Sequence, residues 1–284
     1  MKLMLIPNPE KDEGLAVTAE VIRYLNGVGE TPYLSPSLSL NDSGLMVRME
    51  EPDAPDAVIV LGGDGSIIRA AHYAAKKDIP ILGINLGRLG YLCELEKDEI
   101  SLLSSFLEGK YDLEKRMMLS AQVFRGGEPV SEQMLALNDV ILSRGVEPVL
   151  SDFSLEENGE RLTVYRADGL IFSTPTGSTA YSMSAGGPVI DDGLDVIAVV
   201  PVCPHTLYSR PLIFSASAVL SSENLCRGYG RMYLSVDAGE TIPLESGDIV
   251  RVERAGTETK LIRLHKKNKT HGFFAALNQK LKGF

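Results

Sequence analysis

The sequence predicts an α/β N-terminal domain on a parallel sheet, followed by a mostly antiparallel, sandwich-like β-rich C-terminal domain. Three observations carry that prediction. The first ~110 residues alternate apolar strand runs with helical periodicity, the mark of a sheet covered by helices. From Lys115 to His265 the pattern changes to short alternating runs broken by turn signals. Gly272 to Leu281 then reads as helix again, and 284 residues give ample length for two cores.

Met1-Lys2-Leu3-Met4-Leu5-Ile6-Pro7 reads as a first strand closed by Pro7 and Pro9, its apolar run too short for a signal peptide. Leu15, Ala19, Ile22 and Leu25 recur at helical spacing, with Gly27 as the expected C-terminal cap. Ala57 to Leu61 is apolar without a break, as a strand covered on both faces should be. It runs through Gly62-Gly63-Asp64-Gly65 into a helix over about Ser66 to Lys77. Strand Ile79 to Ile84 follows, then a second glycine loop, Asn85-Leu86-Gly87-Arg88-Leu89-Gly90-Tyr91. A helix over Asp98 to Leu107 is stopped by Gly109. Two glycine loops after two successive strands build a cleft where open α/β sheets place ligands.

In the second half, Arg125-Gly126-Gly127-Glu128 and Glu157-Asn158-Gly159-Glu160 read as hairpin turns, the latter with the Asn-Gly pair of type I′ turns. Leu234-Ser235-Val236 and Ile249-Val250-Arg251-Val252 continue the alternation, and Met117 and Met118 are assigned to core. Lys266, Lys267 and Lys269 read as a solvated face ahead of the last helix. Domains are therefore expected over 1–114, 115–265 and 266–284.

Composition narrows the chemistry. A hydrophobic share of 44% with 23% charged residues is that of an ordinary globular protein. The formal charge of −10 argues against nucleic acid or an anionic membrane as partner. No run approaches the roughly 18 apolar residues of a membrane span. Cys93, Cys203 and Cys226 form no C-x-x-C pair, and the four histidines are scattered, so no local metal motif exists. An odd, unpaired cysteine count fits reduced thiols in a cytoplasm.

Gly63-Asp64-Gly65-Ser66-Ile67-Ile68 has Ile68 where a dinucleotide fingerprint needs its third glycine. Gly109-Lys110-Tyr111 lacks the spacing of a P-loop. What remains is either a plain strand-to-helix turn or a lone carboxylate in a glycine loop, able to accept a hydroxyl proton or orient a metal. The second reading points to phosphoryl transfer. Asp168 to Pro188 is the longest loop signal, rich in small hydroxyl residues and glycines. Such residues let backbone amides approach phosphates or a ribose, and Tyr181 offers a stacking face; an ordinary Ser/Gly-rich surface loop is the plainer reading. Asn138-Asp139 precedes the strand run Val140-Ile141-Leu142 and either grips a polar ring or ribose diol or merely introduces the strand.

Gly62-Gly63-Asp64-Gly65, Asn85 to Tyr91, Asn138-Asp139, Asp168-Gly169 and Thr174-Pro175-Thr176-Gly177-Ser178-Thr179-Ala180-Tyr181 occur in an order that resembles the NAD kinases. Pro204-His205-Thr206-Leu207 and Arg210-Pro211-Leu212 extend the resemblance, which spans roughly Ala57 to Asp237. The first motif is shared with diacylglycerol-type lipid kinases and, more distantly, 6-phosphofructokinases; the Thr-Pro-Thr-Gly-Ser-Thr-Ala-Tyr stretch is the specific one.

The resemblance implies phosphorylation of the 2′-hydroxyl of the adenosine ribose of NAD, giving NADP. It implies ATP or polyphosphate as donor and a divalent metal, Mg, carried by the donor phosphates with no protein ligand assigned. Asp64 matches the family's catalytic aspartate, Gly65 places an amide against the ligand, and Arg69 suits a phosphate oxygen. Asn138 and Asp139 match an Asn-acidic pair, more often Asn-Glu, that holds the nicotinamide-side ribose or the adenine. Arg166 and Asp168 match positions near the nicotinamide end, and Tyr91 an aromatic near the adenine. Thr179, Ala180, Tyr181, Ser182, Met183 and Ser184 fall in the nucleotide-binding run. Where the family often has Asp-Gly-Gln, this chain has Asp237-Ala238-Gly239. The resemblance also implies a terminal helix packing back on the first domain, and a homodimer or homotetramer formed through the β-rich domain. A diacylglycerol-type lipid kinase would instead need an apolar acyl pocket, and a non-catalytic nucleotide-binding protein would have no need of Asp64.

Overall fold

A computed structural model describes residues 1–38, 40, 44–87, 90–145, 151–205, 209–226 and 232–265. Arg88-Leu89, Thr206-Leu207, the lysines at 266, 267 and 269 and the helix expected over Gly272 to Leu281 lie outside the described residues. The chain divides into two compact units, Met1–Lys115 with Glu258–Phe284, and Arg116–Thr257. The chain leaves the first unit within the strand Tyr111–Arg125 and re-enters it within Ile249–Leu264. That return lies ahead of the expected boundary at 265, because Ile249–Leu264 is one continuous strand whose residues from Glu258 on belong to the first unit.

In the first unit Leu3–Pro7, Ala57–Gly62 and Ile81–Asn85 pair in parallel, with Tyr33–Leu34 on the outer side of the first. The far edge of Ile81–Asn85 meets Leu261 of the last strand and, at its carboxyl end, Leu95–Glu96. Every residue of Ala57–Gly62 is buried, as its unbroken apolar run requires. Ile59, Leu61, Leu82 and Ile84 share one core with Val21, Ile22 and Leu25 of the helix Ala16–Gly27. Each such side chain contributes about 1.5–3 kcal/mol by leaving water. Asp12 starts that helix: its carboxylate accepts the N–H groups of Val17 and Thr18 and the Thr18 hydroxyl. The left-handed residue past its end is Gly29, not the expected Gly27, because the helix runs through Gly27.

The helix after the glycine loop spans Asp64–Lys76, beginning at the aspartate itself. The helix expected over Asp98 to Leu107 is shorter, a 3₁₀ turn Ile100–Leu102 followed by Leu103–Leu107. Ile100, Leu103 and Phe106 are buried there, with Leu102 and Leu107 partly so, and Gly109 at φ +73° ends it.

The second unit is antiparallel. One sheet runs Leu212–Ser215, Val196–Val202, Gly169–Ser173, Asp139–Arg144, Met232–Val236 and Thr241–Leu244. The other pairs Glu160–Ala167 with Ser151–Glu157, then Leu220–Glu223 and residues 249–252 of the last strand. Phe172, Leu142 and Leu234 of the first sheet share a core with Phe153, Leu155 and Val252 of the second, so the unit is a sandwich. Both expected hairpins form, with Arg125 opposite Glu128 and Glu157 opposite Glu160. Asn158 and Gly159 both have positive φ, 51° and 84°, as a type I′ turn demands. The long loop expected from Asp168 begins later: Gly169–Ser173 is a fully buried central strand, since Leu170, Ile171 and Phe172 are a strand-favouring apolar run.

Candidate active site

The first unit brings its two glycine loops together at the carboxyl ends of adjacent parallel strands. Leu86 N–H donates to the Gly62 carbonyl at 2.7 Å, joining one loop to the other. Asn85 holds the second loop closed, donating to the Gly87 carbonyl at 3.2 Å and to the Glu96 carboxylate at 3.0 Å. Asn8 donates to Ser66 Oγ at 3.0 Å and ties the first strand's end to the same place.

Asp64 is half-buried at the start of its helix. Tyr91 N–H donates to its Oδ2 and Leu92 N–H to its Oδ1, each at 3.0 Å. A Cβ at Gly90 would overlap Asp64 Oδ1, so the carboxylate presses directly on the loop backbone. Burial first, and then the Asp64 charge, push the Tyr91 phenol up to about 12 and the Cys93 thiol likewise to about 12. Both therefore remain protonated at neutral pH. Gly65 and Arg69 are exposed on the same helix, with Arg69 Nη2 3.5 Å from Ser66 Oγ. Lys11 adds a cation that the sequence reading missed: its Nζ lies 2.9 Å from where a Cβ at Gly63 would stand. Its only sequence signal was the position of Asn8-Pro9-Glu10-Lys11 directly after a strand of the same sheet.

The second unit holds the remaining candidates. Asp139 is buried beside Asp237, and burial, with that neighbouring charge second, pushes its carboxyl up to about 7. Asp237 accepts the N–H groups of Leu137, Asn138 and Asp139 at 2.7, 2.8 and 3.0 Å, fixing the Asn-Asp pair. Thr174 donates to the Leu137 carbonyl at 2.6 Å, and Gly177 packs so closely on the Asn138 carbonyl that a Cβ there would overlap it. The hydroxyls of this run are largely spent on its own backbone: Ser178 Oγ donates to Pro175 and accepts from Ile190 N–H. Residues 174–178 are buried, so the plainer reading of a surface loop fails here.

Beyond the 3₁₀ turn Thr176–Thr179 the chain turns outward. Thr179 and Ala180 are half-buried, Tyr181 is 45% exposed, Ser184 is exposed and Met183 intermediate. Ser182 points inward, its hydroxyl buried against Gly187. Arg116, buried to 5% exposure, pairs with Asp192 at 2.5 Å and reaches Thr176 Oγ1 at 3.4 Å, bracing the turn. Asp168 pairs with Arg144 at 2.6 Å, and that hydrogen bond and charge hold the guanidinium above its usual range. Arg166 stands on the edge strand with its fork on Asp152 at 2.8 and 2.9 Å.

The ATP-NAD kinase N-terminal domain family matches residues 3–111, and the ATP-NAD kinase C-terminal domain family matches 137–264. The NAD kinase of Natranaerobius thermophilus is 37% identical over 283 residues, 98% of this chain and 97% of that protein. The NAD kinase of Geobacter sulfurreducens is 39% identical, covering 94% and 93%. Among solved structures, yeast NADH kinase complexed with NADH superposes with a TM-score of 0.85 at 26% identity, covering 100% of this chain and 88% of that one. An NAD kinase from Archaeoglobus fulgidus in complex with ATP shares the fold, with a TM-score of 0.72 at 22% identity and both chains fully covered. With both halves matched and relatives this similar over nearly the whole length, the chain belongs to the NAD kinase family.

Proposed function

We propose that this enzyme transfers the terminal phosphoryl group of ATP to the 2′-hydroxyl of the adenosine ribose of NAD, giving NADP. The observation that supports this best is the Asp64 carboxylate, seated by two backbone amides at the mouth of a glycine loop. Each of its oxygens accepts one backbone amide, which fixes where the carboxylate stands for a ligand hydroxyl. Phosphoryl transfer through a loose transition state needs positioning and charge neutralisation more than strong base. Asp64 therefore orients the 2′-hydroxyl and takes its proton late, as the bond to phosphorus forms. Lys11 and Arg69, near the loop on one unit, supply positive charge for the donor's phosphates.

A divalent ion fits this donor set. Mg binds through one or two carboxylates plus substrate phosphates, and Asp64 offers one hard oxygen donor. When bound, the ion neutralises charge on the phosphoryl oxygens. On the second unit Asn138, Asp139, Thr179 and Tyr181 are the residues for the nucleotide, with Tyr181 as a stacking face. Polyphosphate is the second donor to try, because Lys11 and Arg69 would recognise phosphate without a base. A lipid substrate finds no support among the relatives, which are NAD kinases. Among the described residues no helix is long and apolar enough to cross a membrane. Cys93, Cys203 and Cys226 are free thiols, which supports a reducing compartment such as the cytoplasm.

The test is direct. The purified protein with NAD, ATP and magnesium should form NADP, and Asp64→Asn should keep the fold and NAD binding while losing most of kcat. A variant as fast as the parent would remove Asp64 from the chemistry.

A further inference from the structure

Arg263 lies in the part of the last strand that belongs to the first unit, and its side chain is only 16% exposed. Nε and Nη2 donate to the two oxygens of Glu114 at 3.0 and 3.1 Å, a forked pair. The guanidinium's remaining hydrogens go to three consecutive carbonyls: Tyr91 at 3.3 Å, Leu92 at 3.1 Å and Cys93 at 3.4 Å. The buried Glu94 carboxylate stands 3.6 Å away. One of these contacts bears on the reacting group. The Tyr91 carbonyl and the Leu92 N–H belong to the same peptide group, and they point in opposite directions because that peptide is trans. Its oxygen accepts from Arg263, while its N–H donates to Asp64 Oδ1 at 3.0 Å.

We propose that Arg263, anchored by Glu114, is a positioning residue for Asp64 that acts through the Tyr91–Leu92 peptide group. The inference rests on the reading of Asp64 as the group that takes the 2′-hydroxyl proton. A cation at the carbonyl end polarises the peptide and strengthens the hydrogen bond its N–H gives to the carboxylate. The same grip on three carbonyls fixes where both amides stand, so the carboxylate has one orientation. Lysine cannot replace this fully, because a single ammonium lacks the planar fork that serves Glu114 and the carbonyls together.

Three variants of the full chain, Arg263→Met, Arg263→Lys and Asp64→Asn, would be compared by steady-state kinetics and by the amide resonance of Leu92 in a ¹⁵N-labelled sample. Arg263→Met should lower kcat by roughly tenfold or more with KM for NAD and ATP nearly unchanged, since a misplaced reacting group costs rate and not binding. The Leu92 amide proton should move upfield, as it should in Asp64→Asn, and Arg263→Lys should fall between the parent and Arg263→Met. If Arg263→Met does not fold, Arg263→Lys alone decides. Parent-like kcat in the Arg263 variants, or an unmoved Leu92 resonance, overturns the inference. So does a loss carried entirely by KM. An active Asp64→Asn would instead overturn the reading of Asp64, so the two failures are distinguishable.

Discussion

Asp64 owes its place to a side chain that is absent. At Gly90 the second loop's backbone presses against the carboxylate, and a methyl group there collides with Oδ1. Gly90→Ala should therefore displace the carboxylate and cost about a hundredfold in kcat, with circular dichroism unchanged; a parent-like rate would show that the contact is incidental. Asp139 gives a prediction in pH. Its carboxyl is raised from 3.8 to about 7, so between those values the folded state holds a proton that the unfolded state has released. Stability then falls as pH rises through this window and the loss is complete above it. Asp139→Asn should abolish that loss, making the variant more stable than the parent at pH 8 by up to about 4 kcal/mol, with the gain vanishing near pH 4. Urea midpoints at several pH values check this, and a pH-independent difference would refute it. Asp64 and the Asn138-Asp139 pair were legible because each is a short local motif. Lys11, Arg263 and the role of Asp237 were not, because only the tertiary fold brings them to their partners.

At the scale of elements, the turn between Met232–Val236 and Thr241–Leu244 carries backbone strain. Asp237 and Ala238 sit at φ 49° and 55°, left-handed values that cost a non-glycine residue roughly 1–2 kcal/mol. Ala238→Gly should relieve that strain, offset partly by the freer unfolded chain, for a net gain of about 1 kcal/mol or less. A lowered denaturation midpoint would count against it. The gain should come without loss of activity, since the Asp237 carboxylate still accepts the three amides. The strands and hairpins were readable where hydrophobic period and turn chemistry agreed, as at Ala57–Gly62 and Asn158-Gly159. They were misread where those signals conflicted. Asp168-Gly169 looks like loop, yet Gly169 has Leu142 and Val202 atoms so close that a Cβ would crowd the neighbouring strands of a buried sheet.

For the whole molecule, the proposed proton acceptor and the nucleotide-binding run belong to different compact units. Leu212 and Ile213 stand exposed on the edge strand of the second unit's sheet, and Leu194 is exposed as well. An open apolar edge invites pairing, and we propose that it seats a second copy with closed symmetry, as a homodimer or homotetramer. Specific activity should then fall on dilution in step with dissociation in sedimentation runs; full activity in a monomer would refute the assembly. The return of the chain at Glu258 has a consequence for synthesis. Leu261 pairs with Ile81 only after every residue of the second unit has been made. A ribosome that has released the first 115 residues has delivered the glycine loops without the strand that braces them. The nascent amino-terminal half therefore waits, the Asp64 carboxylate unsupported by Arg263, until residues 258–264 have been made.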